Sequence, residues 1–304
     1  MLKPKKHIIF IFLGPAVLFY VLIFLYPTLR TTAMSFFAVV SVSDPVSTWS
    51  FNGITNYFTI FKSQLFVQSM YNFARLLFIG GLGVLLIALL FAVILTGKGM
   101  KGVKFYRSVM YLPYTVSAVA MGTMWLNYIY NPEYGLLHNV LAFLGFEAAS
   151  QTLWTGPGLR FWSLLVAYSF GMVGYHMLIF MSGIEQIPRD YHDSAMIDGA
   201  SVFQRFRNIT LPFIRGVTRT NIVMWTVFSV AFFVWGMVFS PVNVTNDTTL
   251  PMNYMYQAVF GAQSAANIIR DSGAGAAVGV MMMLTVVVVF FSTSLITRND
   301  DTEI

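Results

Sequence analysis

The sequence predicts an all-α integral membrane protein with six transmembrane helices, and two observations carry that prediction. Apolar residues make up 57% of the 304 positions and charged residues only 10%, whereas a soluble domain carries about 25% charged residues. Six long stretches contain no Asp, Glu, Lys or Arg, and each exceeds the roughly 20 apolar residues that cross a bilayer as a helix. A chain of this kind cannot cover a soluble globule with polar surface.

The six predicted spans lie between successive charged residues, at 8–29, 76–97, 108–132, 161–184, 220–246 and 272–297. A further uncharged stretch, 248–269, holds Pro251 and many amides and hydroxyls, so we interpret it as a loop with a short interfacial or re-entrant helix. The first span follows three lysines, as a signal peptide would, but its apolar run is too long for a typical signal and no A-x-A cleavage site follows. We expect a retained helix.

Basic residues predict the orientation of the spans, because Lys and Arg accumulate in cytoplasmic loops. With the N-terminus inside, thirteen of the 18 Lys and Arg residues fall in inner segments, and only Lys62, Arg160 and Arg270 fall in outer ones. Arg30 and Arg75 lie near outer helix ends, where their side chains can snorkel. Both termini are therefore expected in the cytoplasm, with sizeable external loops at about 43–67 and 132–160.

Composition also excludes several kinds of function. The net charge of +6 is spread among hydrophobic spans, so no basic run can follow a phosphate backbone and no nucleic-acid partner is expected. The absence of cysteine excludes disulfides, thiolate metal sites and cysteine nucleophiles. No internal repeat is visible, which predicts a single membrane domain over 1–304.

One polar segment interrupts the apolar chain and reads IPRDYHDSAMIDGASVFQRFRNITLP at 187–212. Its helix-breaking and capping residues predict a helix, a turn and a second helix: Pro188 suits a first turn, Gly199 a C-cap, and Ser201 an N-cap. Pro212 is expected to open the fifth span. From these residues alone, a polar loop that contacts lipid headgroups and an ordered docking element fit equally well.

The segment resembles the EAA loop of binding-protein-dependent ABC importer permeases of the sugar type. The family pattern is matched by Ile187, Pro188, Asp198, Gly199, Ala200, Ile209, Leu211 and Pro212. At its centre, Asp193-Ser194-Ala195 replaces E-A-A, so the acid is kept but is one methylene shorter. FNGITNYF at 51–58 and the region 105–141 are similar to the first of the two sugar permease subunits. After the fifth span, FSPVNVTND replaces the family's usual Gly-Gly-Pro turn.

This resemblance implies the type I ABC importer permease fold, with a cytoplasmic coupling helix inside a coupling loop at 185–212. It implies a second permease subunit, two ATP-binding cassette subunits that hold ATP and Mg²⁺, an external solute-binding protein, and a sugar as solute. The location implied is the cytoplasmic membrane of a prokaryote, surrounded by lipid. The chain itself has no G-x-x-x-x-G-K-[ST] phosphate loop, so we expect a transport subunit without cofactor, metal or catalytic residues.

The coupling residues that the resemblance implies are Tyr191, Asp193, Ser194, Ala195, Ile197, Asp198 and Gly199. Asp193 takes the place of the glutamate that contacts a basic residue of the ATPase. The plainer alternative is that this carboxylate stabilises its own helix N-terminus by about 0.3–1 kcal/mol.

His176 is the clearest candidate for contact with the solute, since polar groups within a membrane usually face a cavity. It shares one helix face with Ser169 and Met172, and in the sugar-permease family this part of the helix lines the pathway. A hydrogen bond between helices is the alternative. The other pathway candidates are aromatic, Met and Ser residues that fit helix packing as well: Tyr114, Ser117, Met121, Trp125, Tyr168, Tyr175, Trp225, Phe228, Ser229 and Phe232.

Glycines and a proline predict how these helices pack. Pro113 and Gly122 are expected to loosen the third helix, and Gly171 and Gly174 to allow a close approach of the fourth helix to a neighbour.

Three other functions compete with a sugar permease. An ion-coupled secondary transporter usually places acidic residues in mid-membrane, but none of the six spans contains Asp or Glu. A membrane enzyme would need a partner for His176, and no H-E-x-x-H spacing is present. A permease for glycerol-phosphate or polyamine is the main alternative. A phosphate ester should require Lys or Arg inside the pathway, and none lies in the inner part of the spans.

Overall fold

The computed structural model describes residues 6–97, 99–240, 247–261 and 270–297, most of them helical. The chain forms two compact units, one of Met1–Val67 with Tyr254–Leu284 and the other of Gln68–Asn253 with Thr285–Ile304. The helices are α1 Lys6–Tyr20, α2 Tyr26–Met34, α3 Thr55–Lys62, α4 Gln64–Arg75, α5 Gly81–Thr96, α6 Val103–Thr115, α7 Ala118–Met124, α8 Leu136–Phe143, α9 Glu147–Ser150, α10 Arg160–Glu185, α11 Arg189–Ile197, α12 Val202–Arg205, α13 Leu211–Phe213, α14 Arg215–Val230, α15 Phe233–Phe239, α16 Pro251–Phe260 and α17 Ser272–Thr297. The strands are β1 Phe37–Ala38 and β2 Ser50–Phe51.

Four continuous helical stretches are long and apolar enough to cross a membrane: Ile11–Met34, Gln64–Thr96, Arg160–Glu185 and Ser272–Leu295. Two bent pairs, Val103–Thr115 with Ala118–Ile129 and Arg215–Val230 with Phe233–Phe239, meet the same criteria when each is taken as one span. Counted this way, the described residues contain the six spans that the sequence predicts. The end of the fifth predicted span, 241–246, lies outside the described residues.

The first unit orders much of what the sequence predicts as an external loop. β1 and β2 pair antiparallel with Phe37 opposite Phe51, and the buried Asn56 of α3 donates hydrogen bonds to the carbonyls of Ser35 and Phe37, both at 2.9 Å. A side chain at Gly273 would lie 2.4 Å from the Phe37 carbonyl oxygen, so α17 can meet the hairpin only through glycine. The predicted loop at 43–67 therefore contains a strand and a short helix, β2 and α3. Hydropathy alone does not predict a short helix that is held by a buried amide.

The short helix predicted within 248–269 is present as α16, over Pro251–Phe260. Whether it is interfacial or re-entrant stays a prediction, and residues 262–269 lie outside the described part of the chain.

The second predicted span begins earlier than expected, because α4 runs into α5 through a π-helical turn at Leu76–Gly80. Arg75 therefore sits within a 33-residue helix, Gln64–Thr96. Its guanidinium lies 3.9 Å from the centre of the Phe161 ring and donates a hydrogen bond of 2.6 Å to Asn72. Arg75 interrupts the apolar run of the sequence but does not end the helix. Its charge lies over the face of the Phe161 ring, which stabilises it.

The third predicted span is broken. α6 and α7 meet at an angle of 97°, with Val116 extended and Ser117 capping α7 by accepting a hydrogen bond from the amide of Ala120. Pro113 lies in the last turn of α6, so the expected loosening is a sharp break. The pathway candidates of this span are consequently divided: Tyr114 lies on α6, Ser117 at the break and Met121 on α7.

The fifth span is bent by 50° between α14 and α15. It begins at Arg215, and Pro212 lies in the preceding one-turn helix α13. The prediction that Pro212 opens this span was wrong by three residues, because proline fits the first turn of any helix, however short.

Helix α10 is the centre of the second unit. Small side chains of α5, among them Ala88 and Ala92, pack against Met177, Phe180 and Met181 of α10. On its other side α10 approaches the backbone of α6, because a Cβ at Gly174 would lie only 2.0 Å from the Met110 carbonyl oxygen. The predicted close packing is confirmed for Gly174. At Gly171 an added methyl group would have no neighbour within 4 Å, so no contact among the described residues requires glycine there.

Gly174→Ala should destabilise the fold, because the added methyl group has no room against the α6 backbone; overpacking of this kind typically costs about 1–3 kcal/mol. Gly171→Ala is the matched control, since the same change in the same helix meets open space. Thermal unfolding of the detergent-solubilised protein should show a lower midpoint for Gly174→Ala alone. Equal midpoints for the two variants would contradict the close approach.

Candidate functional site

The 187–212 segment folds as the predicted helix, turn and helix. Helix α11 follows Pro188 and ends at Ile197, two residues before Gly199, whose φ of 78° is left-handed. The Ala200 amide closes this end by donating a hydrogen bond of 2.8 Å to the Ala195 carbonyl. Ser201 then caps α12 in a reciprocal capping box with Gln204. The predicted roles of Gly199 and Ser201 are confirmed, and the segment is an ordered block.

Large apolar side chains project from this polar block. Ile197 is 87% exposed and Tyr191 47% exposed, and Val202 and Phe203 at the start of α12 are also exposed. Tyr191 additionally packs against Phe213, with ring centres 4.9 Å apart. Exposed apolar groups on an ordered polar element mark a surface that contacts either another protein or the membrane.

The candidate coupling residues are all carried by α11 and the turn that follows it. Five of them are exposed, and two are partly buried: Tyr191, Ser194, Ile197, Asp198 and Gly199 in the first group, and Asp193 and Ala195 in the second. The structure thus brings these candidates together, and their role toward a partner stays a prediction.

An ion pair that the sequence does not predict supports the base of this block. Arg107 near the start of α6 lies 2.5 Å from Glu185, the last residue of α10. The two residues are 78 positions apart, so no local sequence pattern predicts the contact. It ties the end of α10, from which the block emerges, to the helix that carries Tyr114.

Three aromatic side chains from three helices form a cluster that we call the aromatic platform: Tyr114 of α6, Tyr175 of α10 and Phe228 of α14. Tyr114 stacks on Tyr175 with ring centres 4.7 Å apart, and Phe228 meets Tyr175 edge-on at 5.2 Å. All three side chains are partly exposed. Partly exposed, preorganised rings are suited to stacking against a ligand.

His176 neighbours the platform but is fully buried. Its Nδ1 lies 2.7 Å from Oδ1 of Asn221 in α14. The Asn221 amide group donates to the Val217 carbonyl at 3.3 Å, which leaves Oδ1 as an acceptor and assigns the proton to His176 Nδ1. In this conformation His176 joins α10 to α14, the alternative that the sequence left open, and its contact with solute stays a prediction.

The other candidates divide into buried and partly exposed positions. Trp225 is buried, and its Nε1 donates a hydrogen bond of 3.0 Å to the Leu77 carbonyl. A side chain at Gly81 would lie 2.6 Å from that Nε1 atom, so the indole fills the space that glycine leaves. Also buried are Met121, Tyr168, Met172, Ser229 and Phe232; Trp125 and Ser169 are partly exposed, and Ser117 is exposed at the break between α6 and α7.

Within the described ranges, no group of three or more His, Asp or Glu side chains could hold a metal ion. Buried polar atoms do remain without a hydrogen-bond partner among the same residues, notably His176 Nε2 and Ser229 Oγ. They lie on α10 and α14, the two helices joined by the His176–Asn221 contact.

Comparison with known proteins gives a consistent result. The family described as "Binding-protein-dependent transport system inner membrane component" matches residues 84–299, a range that includes the 187–212 segment and the aromatic platform. The diacetylchitobiose uptake permease NgcF of Streptomyces coelicolor is 28% identical over 71% of this chain and 64% of its own length. The sn-glycerol-3-phosphate permease UgpA of Yersinia enterocolitica is 29% identical over 64% of each protein.

A chain of the bacterial alginate ABC transporter, solved in complex with a periplasmic protein that binds an alginate pentasaccharide, has a similar fold. The TM-score is 0.80 at 20% identity, with 98% of this chain and 97% of that chain covered. The predicted all-α fold of this importer class is thereby confirmed. The chain spans only about two thirds of the length of the two relatives named above.

The His176–Asn221 contact can be measured with a double-mutant cycle. His176→Leu and Asn221→Leu should each lower the thermal midpoint, since each leaves a buried polar group unpaired at a cost of about 1–3 kcal/mol. The double variant should lose clearly less than the sum of the two, because neither polar partner remains. Additive losses would show that the two side chains do not interact.

Proposed function

We propose that this chain, which belongs to the binding-protein-dependent transport system inner membrane component family, is a permease subunit of an ATP-driven importer for a neutral sugar or oligosaccharide. The observation that carries the proposal is that α10 connects two specialised regions. It bears Tyr175 of the aromatic platform and leads, thirteen residues later, to Pro188 and the coupling segment. The ten residues from Tyr175 to Glu185, the end of α10, span about 15 Å at 1.5 Å per residue, so one rigid element can couple events at both places.

We infer the partners from two features: the sequence has no phosphate loop of its own, and the coupling segment exposes apolar side chains. A second permease subunit completes the pathway, two ATPase subunits hold ATP and Mg²⁺, and an external binding protein delivers the solute. The alginate importer, solved together with a periplasmic protein that carries a pentasaccharide, supports such an assembly. We place the chain in the cytoplasmic membrane of a prokaryote with both termini and the coupling segment on the cytoplasmic side, as the distribution of Lys and Arg predicts.

In the proposed mechanism, the ATPase subunits bind the exposed surface of α11 and its C-terminal turn. Tyr191 and Ile197 supply apolar contact, and Asp193 supplies a carboxylate for a basic residue of the ATPase. When ATP closes the ATPase pair, α11 moves and α10 moves with it. The bundle thereby shifts from an inward-open to an outward-open population, with the free energy supplied by ATP.

The platform supports a sugar as the solute, because sugar rings present C–H faces to aromatic rings and hydroxyls to polar groups. None of the residues that we assign to the pathway carries a charge, so the pathway offers nothing to balance a phosphate or an ammonium group. The similarity to a glycerol-phosphate permease keeps that ester as the second candidate solute. Transport assays with both classes separate the two.

Asp193→Arg should abolish solute transport and the stimulation of ATPase activity by the loaded binding protein, because it places like charges at the proposed contact. Asp190→Arg makes the same change of charge in the first turn of the same helix and should retain most of both activities. The measurement is transport and ATP hydrolysis by the assembled complex in liposomes. Normal transport by Asp193→Arg would remove the coupling role of this carboxylate.

Tyr175→Leu should reduce transport of the cognate sugar by roughly three- to tenfold, the equivalent of about 0.5–1.5 kcal/mol for a lost aromatic contact. Basal ATPase activity, measured without solute, should change less than transport, since Tyr175 lies outside the coupling segment. Phe170→Leu removes an exposed aromatic ring of the same helix outside the platform and serves as control. If both variants transport alike, the platform does not contact the solute.

A further inference from the structure

We propose that the chain carries a second binding site for a neutral, hydroxyl-rich ligand, in a cleft between α6, α10 and α14 on the coupling-segment side of the platform. The ligand class rests on the proposed function, and the position rests on the geometry of the cleft. None of the residues beyond Tyr175 that line this cleft was among the pathway residues that the sequence predicts.

The cleft has a volume of about 360 Å³, within the range of small-molecule sites. Apolar surface predominates in its lining and includes Leu178, Ile179 and Val217, and the polar groups come from Tyr111, Tyr175, Ser182, Gln186 and Thr220. Helices α10 and α14 touch at the cleft: a Cβ at Gly183 would lie 2.5 Å from Val217 Cγ2. A concave space with polar groups along its wall can bind a ligand on several sides.

The polar groups of the wall are available to a ligand. Within the described part of the chain, the hydroxyls of Tyr111, Tyr175 and Ser182 and the amide of Gln186 make no hydrogen bond to protein. Only Thr220 is engaged, with the Gly216 carbonyl at 3.1 Å. Three hydroxyls and an amide can donate to and accept from sugar hydroxyls.

The same wall excludes other ligand classes. Among the residues that the structure describes, no Asp, Glu, Lys, Arg or His lines the cleft, so neither a phosphate ester nor a polyamine would find a counter-charge. The two tyrosine rings offer apolar surface beside the polar groups, and a sugar ring can contact both with its C–H faces and its hydroxyls.

The cleft is a separate position from the platform, although Tyr175 belongs to both. From Tyr175 to Gln186 the helix advances eleven residues, or about 16 Å. A solute leaving the platform toward the coupling segment would therefore reach this second position next.

The position of the cleft also predicts that a bound ligand affects the coupling of transport to ATP hydrolysis. Gln186 follows the last residue of α10, beside the Arg107–Glu185 ion pair and two residues before Pro188. A ligand held by Gln186 touches the base of the coupling segment. We therefore expect solute that accumulates on this side to slow ATP-driven import by occupying the cleft.

The chain contains no cysteine, so Ser182→Cys places its only thiol in the cleft. In membrane vesicles that expose the coupling-segment side of the assembled complex, we would follow labelling of this chain by a maleimide, with diacetylchitobiose and maltose as probes. At about ten times its Kd, a bound sugar leaves roughly one site in eleven open, so labelling should slow about tenfold. Ser108→Cys, exposed on α6 outside the cleft, should label at a constant rate.

A second variant tests the wall itself. Gln186→Leu replaces the amide with an apolar group of similar size, so in the Ser182→Cys background it should abolish protection by sugar. In transport assays, internal sugar should inhibit import by the wild-type complex and inhibit it much less in Gln186→Leu.

The outcomes separate this inference from the proposed function. If the complex transports a probe sugar and that sugar leaves Ser182→Cys labelling unchanged, the second site is wrong and the proposed function stands. Protection by sn-glycerol-3-phosphate but by neither sugar would overturn the ligand class. A thiol that never reacts, with transport intact, would show that another subunit fills the cleft and would also overturn the site. A complex that transports no sugar would overturn the proposed function itself.

Discussion

The close approach of α10 to α6 at Gly174 is the contact on which the rest of the second unit depends. Without a Cβ, the backbone of α10 can lie against the Met110 carbonyl, and this proximity sets Tyr175 beside Tyr114. One residue further, His176 reaches Asn221 and fixes the position of α14. The platform, the cleft and the polar contact between helices all follow from one place where two backbones nearly touch.

The sequence predicted what depends on local chemistry. Uncharged runs located the spans, since the bilayer requires a continuous apolar stretch, and Gly199 and Ser201 located the end of one helix and the start of the next. The ends of the spans were less predictable. Arg75 interrupted an apolar run although its helix continues, because Phe161, distant in sequence, provides the aromatic face that supports the charge.

Contacts between distant residues account for most of what the sequence could not predict. Asn221 is 45 positions from His176, and nothing in either local pattern indicates that they meet. Trp225 and Phe228 lie three residues apart on one predicted helix, but only packing decides that the indole fills the space beside Gly81 while the phenyl ring stays partly exposed. An aromatic stripe therefore indicates a contact without distinguishing a packed neighbour from a ligand.

The break between α6 and α7 constrains the surroundings of the third span. An extended residue at Val116 removes backbone groups from the helical hydrogen-bond ladder, and hydrocarbon offers nothing to replace those bonds. Val116 and Ser117 are exposed on this chain, so if the bent pair crosses the bilayer, this point must be covered by protein or wetted by water. On that condition, the 97° break marks a part of the surface from which lipid tails are excluded.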